Sequence, residues 1–356
     1  MKIMRLLSLL SVGVVALSFT GTALAQAQEE GVRAFVQNKG ADGSRPALIY
    51  IVSGNERGIK YKTTKVDLND NSIGLDKIDY FFEEPLEYRA ALDLYANRKY
   101  AEALKGFKAV QSTYASMKDI PYNYSLMAEY RAYSCELRLM NIAEVAKADT
   151  AKLRRMLPMD GLKNDLTIFD LWKVAHKKDW AALETAAKKQ KDLGYGRLTR
   201  AQIAQVSYLL GLAYSNLGQD EKALDVLGEA MLIDSSNSLE ITKEAILRTM
   251  EIYSKDQTTA EFVKNYKTAP KDVQVPRYVR EGAALMNLWK NVYFISPELP
   301  KEYENYINFY VAPPKPQAKE EPAKPADAKA PAEAPKATDA KAPEAAAKPA
   351  PAPKKK

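Results

Sequence analysis

Across residues 84–310 apolar side chains recur with helical spacing, and short polar breaks cut the run into pairs of segments. The pattern predicts helical hairpins at about 88–114, 124–156, 166–191, 201–233 and 239–266. Asn97, Arg98 and Lys99 break the first, and Trp180 opens the second helix of the third. A further amphipathic helix is expected at 279–293, where Leu285, Leu288 and Trp289 would cover the last apolar face of a stack. One short helix is expected at 299–310.

Ahead of the helices the period falls to two. Residues 47–52 form an apolar run rich in β-branched and aromatic side chains, 54–58 carry a turn signal, and 59–64 alternate. A second turn at 67–71 precedes a strand ending near Phe82. Together these predict a small antiparallel β module at 45–83, similar to a small SH3-like barrel in size and rhythm only. Tyr80, Phe81 and Phe82 are expected to pack it onto the first helix. Arg57, Lys60, Lys62 and Lys65 read as a solvated strand face, with a surface for an anionic ligand as the sharper alternative. Residues 26–44 show no period and are expected to be a flexible lead-in.

The two ends differ from the body. Residues 1–25 read as a signal peptide: Lys2 and Arg5, an apolar run from Leu6 to Leu17, then Ala23-Leu24-Ala25. Cleavage is expected after Ala25, giving an exported chain, periplasmic or envelope-associated, with no transmembrane segment in its mature form. The segment 312–356 holds eleven prolines, and alanine, lysine and acidic residues fill most of the rest. It is expected to be a disordered tail of polyproline character, either a solubilising spacer or an arm for anionic envelope polymer or membrane surfaces.

The fourth hairpin carries the most specific pattern. Leu210-Gly211-Leu212-Ala213-Tyr214 is followed by Gly218, Ala223, Leu227 and Ala230. Small residues let two antiparallel helices cross closely, and Gly218 lets the chain turn between them. This spacing resembles a tetratricopeptide repeat (TPR), with Ser207 and Ser235 where the family favours Trp and Pro. Tyr100, Ala103 and Phe107 reproduce the start of a TPR second helix in the first hairpin. A forty-residue step links Tyr100, Met140, Trp180 and Asp220, likewise Ala103, Ala143, Leu183 and Ala223, and likewise Phe107, Lys147, Ala187 and Leu227, with Lys147 a misfit. The family repeats every 34 residues or so, and HEAT-type repeats every 40–47, so a HEAT-like solenoid competes with lengthened TPR hairpins. The expected fold is mostly α: an α-solenoid of TPR-like hairpins at 84–311, behind the β module and ahead of the tail.

Charge and rare residues remove several functions. Of the net charge of +7, two charges lie in the signal and four in the tail, so residues 26–311 carry only +1 and give no footprint for nucleic acid. One cysteine, Cys135, allows no internal disulfide and reads as a buried small hydrophobe. With His176 the only histidine, zinc sites and Ser/Cys–His catalysis are hard to build. Gly194 and Gly196 lack the strand–helix context of a nucleotide loop. No cofactor, metal or catalytic residue is expected.

The resemblance therefore implies a protein-interaction scaffold that takes a peptide or partner protein on its concave face. Carrying the family's groove positions over gives Gln205, Tyr208, Leu212, Ser215 and Asn216 in the fourth hairpin, and Tyr88, Leu92 and Tyr95 in the first. Repeat packing is assigned to Ala103, Phe107, Gly211, Tyr214, Ala223, Leu227 and Ala230. The alternatives are a structural envelope protein tethered to peptidoglycan or an anionic membrane by its tail and, more remotely, a carboxylate-dependent hydrolase.

Overall fold

The computed structural model describes residues 31–40, 45–194, 196–270 and 272–312. The expected signal peptide and the tail beyond Ala312 lie outside the described residues.

Five strands form one antiparallel sheet: β1 (Val32–Asn38), β2 (Ala47–Gly54), β3 (Gly58–Lys62), β4 (Asn71–Gly74) and β5 (Ile78–Phe82), in the order β4-β3-β2-β1-β5. Strand β1 falls within the segment expected to be a flexible lead-in. Its Ala34 sits between Ile49 of β2 and Phe82 of β5, and β1 is the only strand that β5 pairs with among the described residues. The alternation Val32, Ala34, Val36 is the signal; polar Arg33, Gln37 and Asn38 dilute it. Strands β4 and β5 are the edges of the sheet, so the likeness to an SH3-like barrel stops at size.

One face of the sheet buries Ala34, Ile49, Ile51, Ile59, Ile78 and Phe82 against Met117 and Ile120. The Tyr80 hydroxyl donates to the Pro121 carbonyl at 3.0 Å. The module thus docks onto the segment that follows the second helix, not onto the first helix as expected. Phe81 points the other way, 56% exposed, and stacks on Phe35 with ring centroids 5.1 Å apart. A side chain facing away from its two neighbours is what the period-two strand requires.

The helices follow as α1 (Leu86–Ala96), α2 (Tyr100–Thr113), α3 (Tyr124–Arg138), α4 (Ile142–Val145), α5 (Thr150–Met156), α6 (Lys163–His176), α7 (Trp180–Lys191), α8 (Arg200–Asn216), α9 (Asp220–Ile233), α10 (Leu239–Lys255), α11 (Gln257–Asn265) and α12 (Arg277–Asn287). They build an α-solenoid of helical hairpins. Second helices pack on the next first helix, as α2 on α3, α7 on α8 and α9 on α10, and first helices lie beside one another, as α1 by α3, α6 by α8 and α8 by α10. A π turn at Leu288–Val292 and a 3-10 turn at Glu304–Phe309 complete the end of the stack, where Trp289 is buried and Leu285 and Leu288 are half-buried.

Four hairpin turns share one construction. Arg98, Met140, Lys178 and Gly218 adopt left-handed backbone, with φ of 60°, 57°, 58° and 72°. In each, this residue's N–H donates to the carbonyl three back, and the next N–H donates to the carbonyl five back, as from Lys99 to Leu94, Asn141 to Glu136, Asp179 to Val174 and Gln219 to Tyr214. This is the Schellman closure of a helix C-terminus.

The turns correct the forty-residue register. The second helices begin at Tyr100, Ile142, Trp180 and Asp220, so the second hairpin is displaced by two from Met140. Val145, not Ala143, joins Ala103, Leu183 and Ala223, and all four are fully buried. The helix then breaks after Val145 and resumes at Thr150, where the Asp149 side chain accepts from the Lys152 N–H at 2.9 Å. Lys147 lies in that break and pairs with Glu144 at the surface, at 2.6 Å.

The residues assigned to repeat packing, Ala103, Phe107, Gly211, Tyr214, Ala223, Leu227 and Ala230, are all buried. A Cβ on Gly211 would stand 2.7 Å from the Leu227 side chain, so any larger residue there would push Leu227 aside where α8 crosses α9.

Candidate functional site

The stack curls until distant hairpins touch. Arg138, at the end of α3, forms an ion pair with Glu240 at the start of α10 and donates to the Asn237 carbonyl and the Ser238 hydroxyl, both at 3.2 Å. Arg98 donates to the Asn237 side-chain oxygen at 3.2 Å. Burial works to lower the Arg138 pKa, but Glu240 and Tyr95 outweigh it and the net shift is upward. Beside this clasp lies a cleft of about 280 Å³ lined by Arg98, Tyr100, Leu239, Lys243 and Ile295.

Between the first helices lies a polar cavity of about 120 Å³. Helix α1 contributes Tyr95; α3 contributes Tyr130, Arg131, Ser134 and Arg138; α6 contributes Asp165 and Phe169; α8 contributes Gln202 and Gln205. The Tyr130 hydroxyl donates to Asp165 at 2.5 Å, and the Gln202 amide donates to the other carboxylate oxygen at 2.7 Å. Burial first, and then Asp165, raise the pKa of Tyr130, so it remains a neutral donor. Trp172 Nε1 donates to Gln205 Oε1 at 3.2 Å. The Arg131 guanidinium lies over the rings of Tyr130 (5.2 Å to the centroid) and Tyr95 (6.0 Å).

Tyr95 and Gln205 are the two expected groove residues that reach this cavity. Tyr88 is buried between the first two hairpins, in edge contact with Phe107 at 5.6 Å and Tyr124 at 5.0 Å. Tyr208 is buried against Trp172, with centroids 5.8 Å apart. Leu92, Leu212 and Ser215 are half-buried, and Asn216 is exposed, its amide donating to the Leu212 carbonyl at 2.7 Å. The structure therefore spreads the expected residues along α1 and α8 rather than into a single patch.

The α3 residues were missed because groove positions were carried over only to the first and fourth hairpins. Counted back from the turn residue, Tyr88, Leu92 and Tyr95 stand ten, six and three before Arg98. The same steps back from Met140 give Tyr130, Ser134 and Leu137, all three of which line the cavity.

Other candidate chemistry lies apart from the cavity. Cys135 is buried, and its thiol is pushed up to about 12 by burial and then by Glu136. His176 is exposed at the end of α6. Arg57 and Lys60 line an open cleft of about 540 Å³ beside Gly54, Gly58 and Gly74 of the sheet. Among the described residues no group of three His, Cys, Asp or Glu side chains is placed to hold a metal, and no helix is long and apolar enough to cross a membrane.

Fold and cavity define the class: an α-solenoid whose first helices enclose a polar, aromatic-walled hollow. Comparison of the chain with protein-family models, with curated proteins and with solved structures finds no match.

Proposed function

We propose that this chain is an exported, envelope-associated scaffold that binds a peptide or partner protein along the inner side of its hairpin stack. The observation that carries the reading is the convergence of α1, α3, α6 and α8 on one hollow faced with tyrosine, arginine and glutamine. Tyrosine and arginine supply large contact area together with hydrogen bonds, which is why they dominate binding surfaces. The resemblance of residues 204–237 to a TPR supports the same reading, as does the signal-like sequence ending at Ala25.

The test is crosslinking in living cells from a photoreactive residue at position 95 or 212. The expected result is a discrete protein adduct from at least one position, on a chain whose mature N-terminus is Gln26. No adduct from either position would remove the scaffold reading. A mature chain that still begins at Met1 would remove the cleavage that the export reading expects.

A further inference from the structure

Arg131 is set apart from the other arginines of the fold. Four arginines among the described residues are not exposed: Arg131, Arg138, Arg154 and Arg248. Three of them have a carboxylate partner, in Glu240, Asp170 and Glu251 respectively. Arg131 forms no ion pair among the described residues, and its Nε is buried with no hydrogen-bond acceptor. Its side-chain hydrogen-bond partner, the Tyr88 hydroxyl, is neutral, and a guanidinium cannot shed its proton, so its charge faces the cavity without a carboxylate.

The same cavity holds the complementary defect. Asp165 accepts from Tyr130 and Gln202, both neutral donors, and no lysine or arginine among the described residues pairs with it. Each carboxylate oxygen has two acceptor sites, so one remains on each after these bonds. Asp165 lies in the first turn of α6. Tyr130 separates the two charges: its ring lies against the guanidinium and its hydroxyl holds the carboxylate. A cation lacking an anion and an anion lacking a cation thus face one hollow, one ring apart.

We infer that the cavity binds a small zwitterion, a free α-amino acid, with its carboxylate on Arg131 and its ammonium on Asp165. The cavity of about 120 Å³ is well above the roughly 10–15 Å³ that a single water needs, so it has room for a small polar molecule. Tyr95 and Phe169 wall the space left for a short side chain. The inference shares this hollow with the scaffold reading but needs no protein partner.

The test uses the full mature chain and the Arg131 Nε–H resonance, which reports on the site without a substitution. Glycine, L-alanine, D-alanine and L-serine are titrated singly, with N-acetylalanine lacking the ammonium and alaninamide lacking the carboxylate as controls. The expected result is a saturable shift with at least one free amino acid and binding weaker by about tenfold or more for both blocked forms. Arg131→Gln and Asp165→Asn should each weaken binding to a similar degree, measured by calorimetry on folded protein. A resonance that no amino acid moves overturns the inference. Equal binding of N-acetylalanine and alanine overturns it too, by showing an anion site only. Neither result bears on crosslinking from position 212, so the scaffold reading is judged separately.

Discussion

A left-handed backbone at a residue with a Cβ costs roughly 1–3 kcal/mol, and Arg98, Met140 and Lys178 all adopt it. The cost is tolerated because each turn closes two helix carbonyls at once, and Gly218 does the same without strain. Lys178 is exposed, so Lys178→Gly should raise stability by about 0.5–1 kcal/mol after the added freedom of the unfolded chain is subtracted. Gly218→Ala should lower it by about 1 kcal/mol. Urea denaturation of both variants checks this; a loss for Lys178→Gly would show that its side chain contributes more than its backbone costs. The same positions explain what could be read from the sequence. Gly218 announces its turn because glycine is the usual residue there. Met140 carries no such mark, so an even spacing of forty stood in for the true turn there, and the second hairpin slipped by two.

At the level of elements, the bounds of the hairpins were legible because polar breaks and apolar periods coincide there. Thr199 and Gln202, which form a capping box at the start of α8, are one such boundary. Two elements were not legible, for different reasons. Strand β1 is diluted by polar residues and flanked by glycines, and its pairing partners β2 and β5 are supplied from elsewhere in the chain. The second helix of the second hairpin is interrupted at 146–149, so its apolar series stops halfway. Because β1 is an interior strand paired on both sides, a charge there should undo the module. Ala34→Asp buries an unpaired carboxylate between Ile49 and Phe82 and should cost at least about 3 kcal/mol. Amide exchange in β2 and β5 should then rise while α8 and α9 stay protected. Unchanged protection in β5 would mean that β1 is dispensable.

The curl of the whole stack was invisible in the sequence, because it rests on contacts such as Arg98 with Asn237 that no local period encodes. The completed fold also fixes how stability responds to alkali. Burial pushes Cys135, Tyr80, Tyr124 and Tyr306 up to about 12, whereas the unfolded chain releases these protons near 8.5 for the thiol and near 10 for the phenols. Between those values the folded state binds more protons, so stability must fall as pH rises from about 8.5, with each group contributing up to about 1.4 kcal/mol per pH unit. Urea midpoints should therefore drop between about pH 8 and about pH 11. A constant midpoint would mean that these groups titrate as freely in the fold as outside it.

The clasp joins the end of α3 to the start of α10. The Arg138 and Glu240 side chains are only 17% and 16% exposed, so their attraction is weakly screened and removing one leaves the other poorly solvated. Arg138→Met and Glu240→Gln should each destabilise the chain, and the double variant should lose less than the sum, with a coupling of about 1–3 kcal/mol. Helices α3 and α10 are held near each other at this point by Arg138 and its three acceptors, so exchange should quicken at the end of α3 and the start of α10 in either single variant. Arg98 reaches the same loop from a different hairpin, which is why the loop at 234–238 should loosen only partly when Arg138 is changed and fully when Arg98→Ala is added. Additive single losses with no change in exchange would mean that curvature is set by helix packing alone and that the ion pair merely decorates a gap already closed.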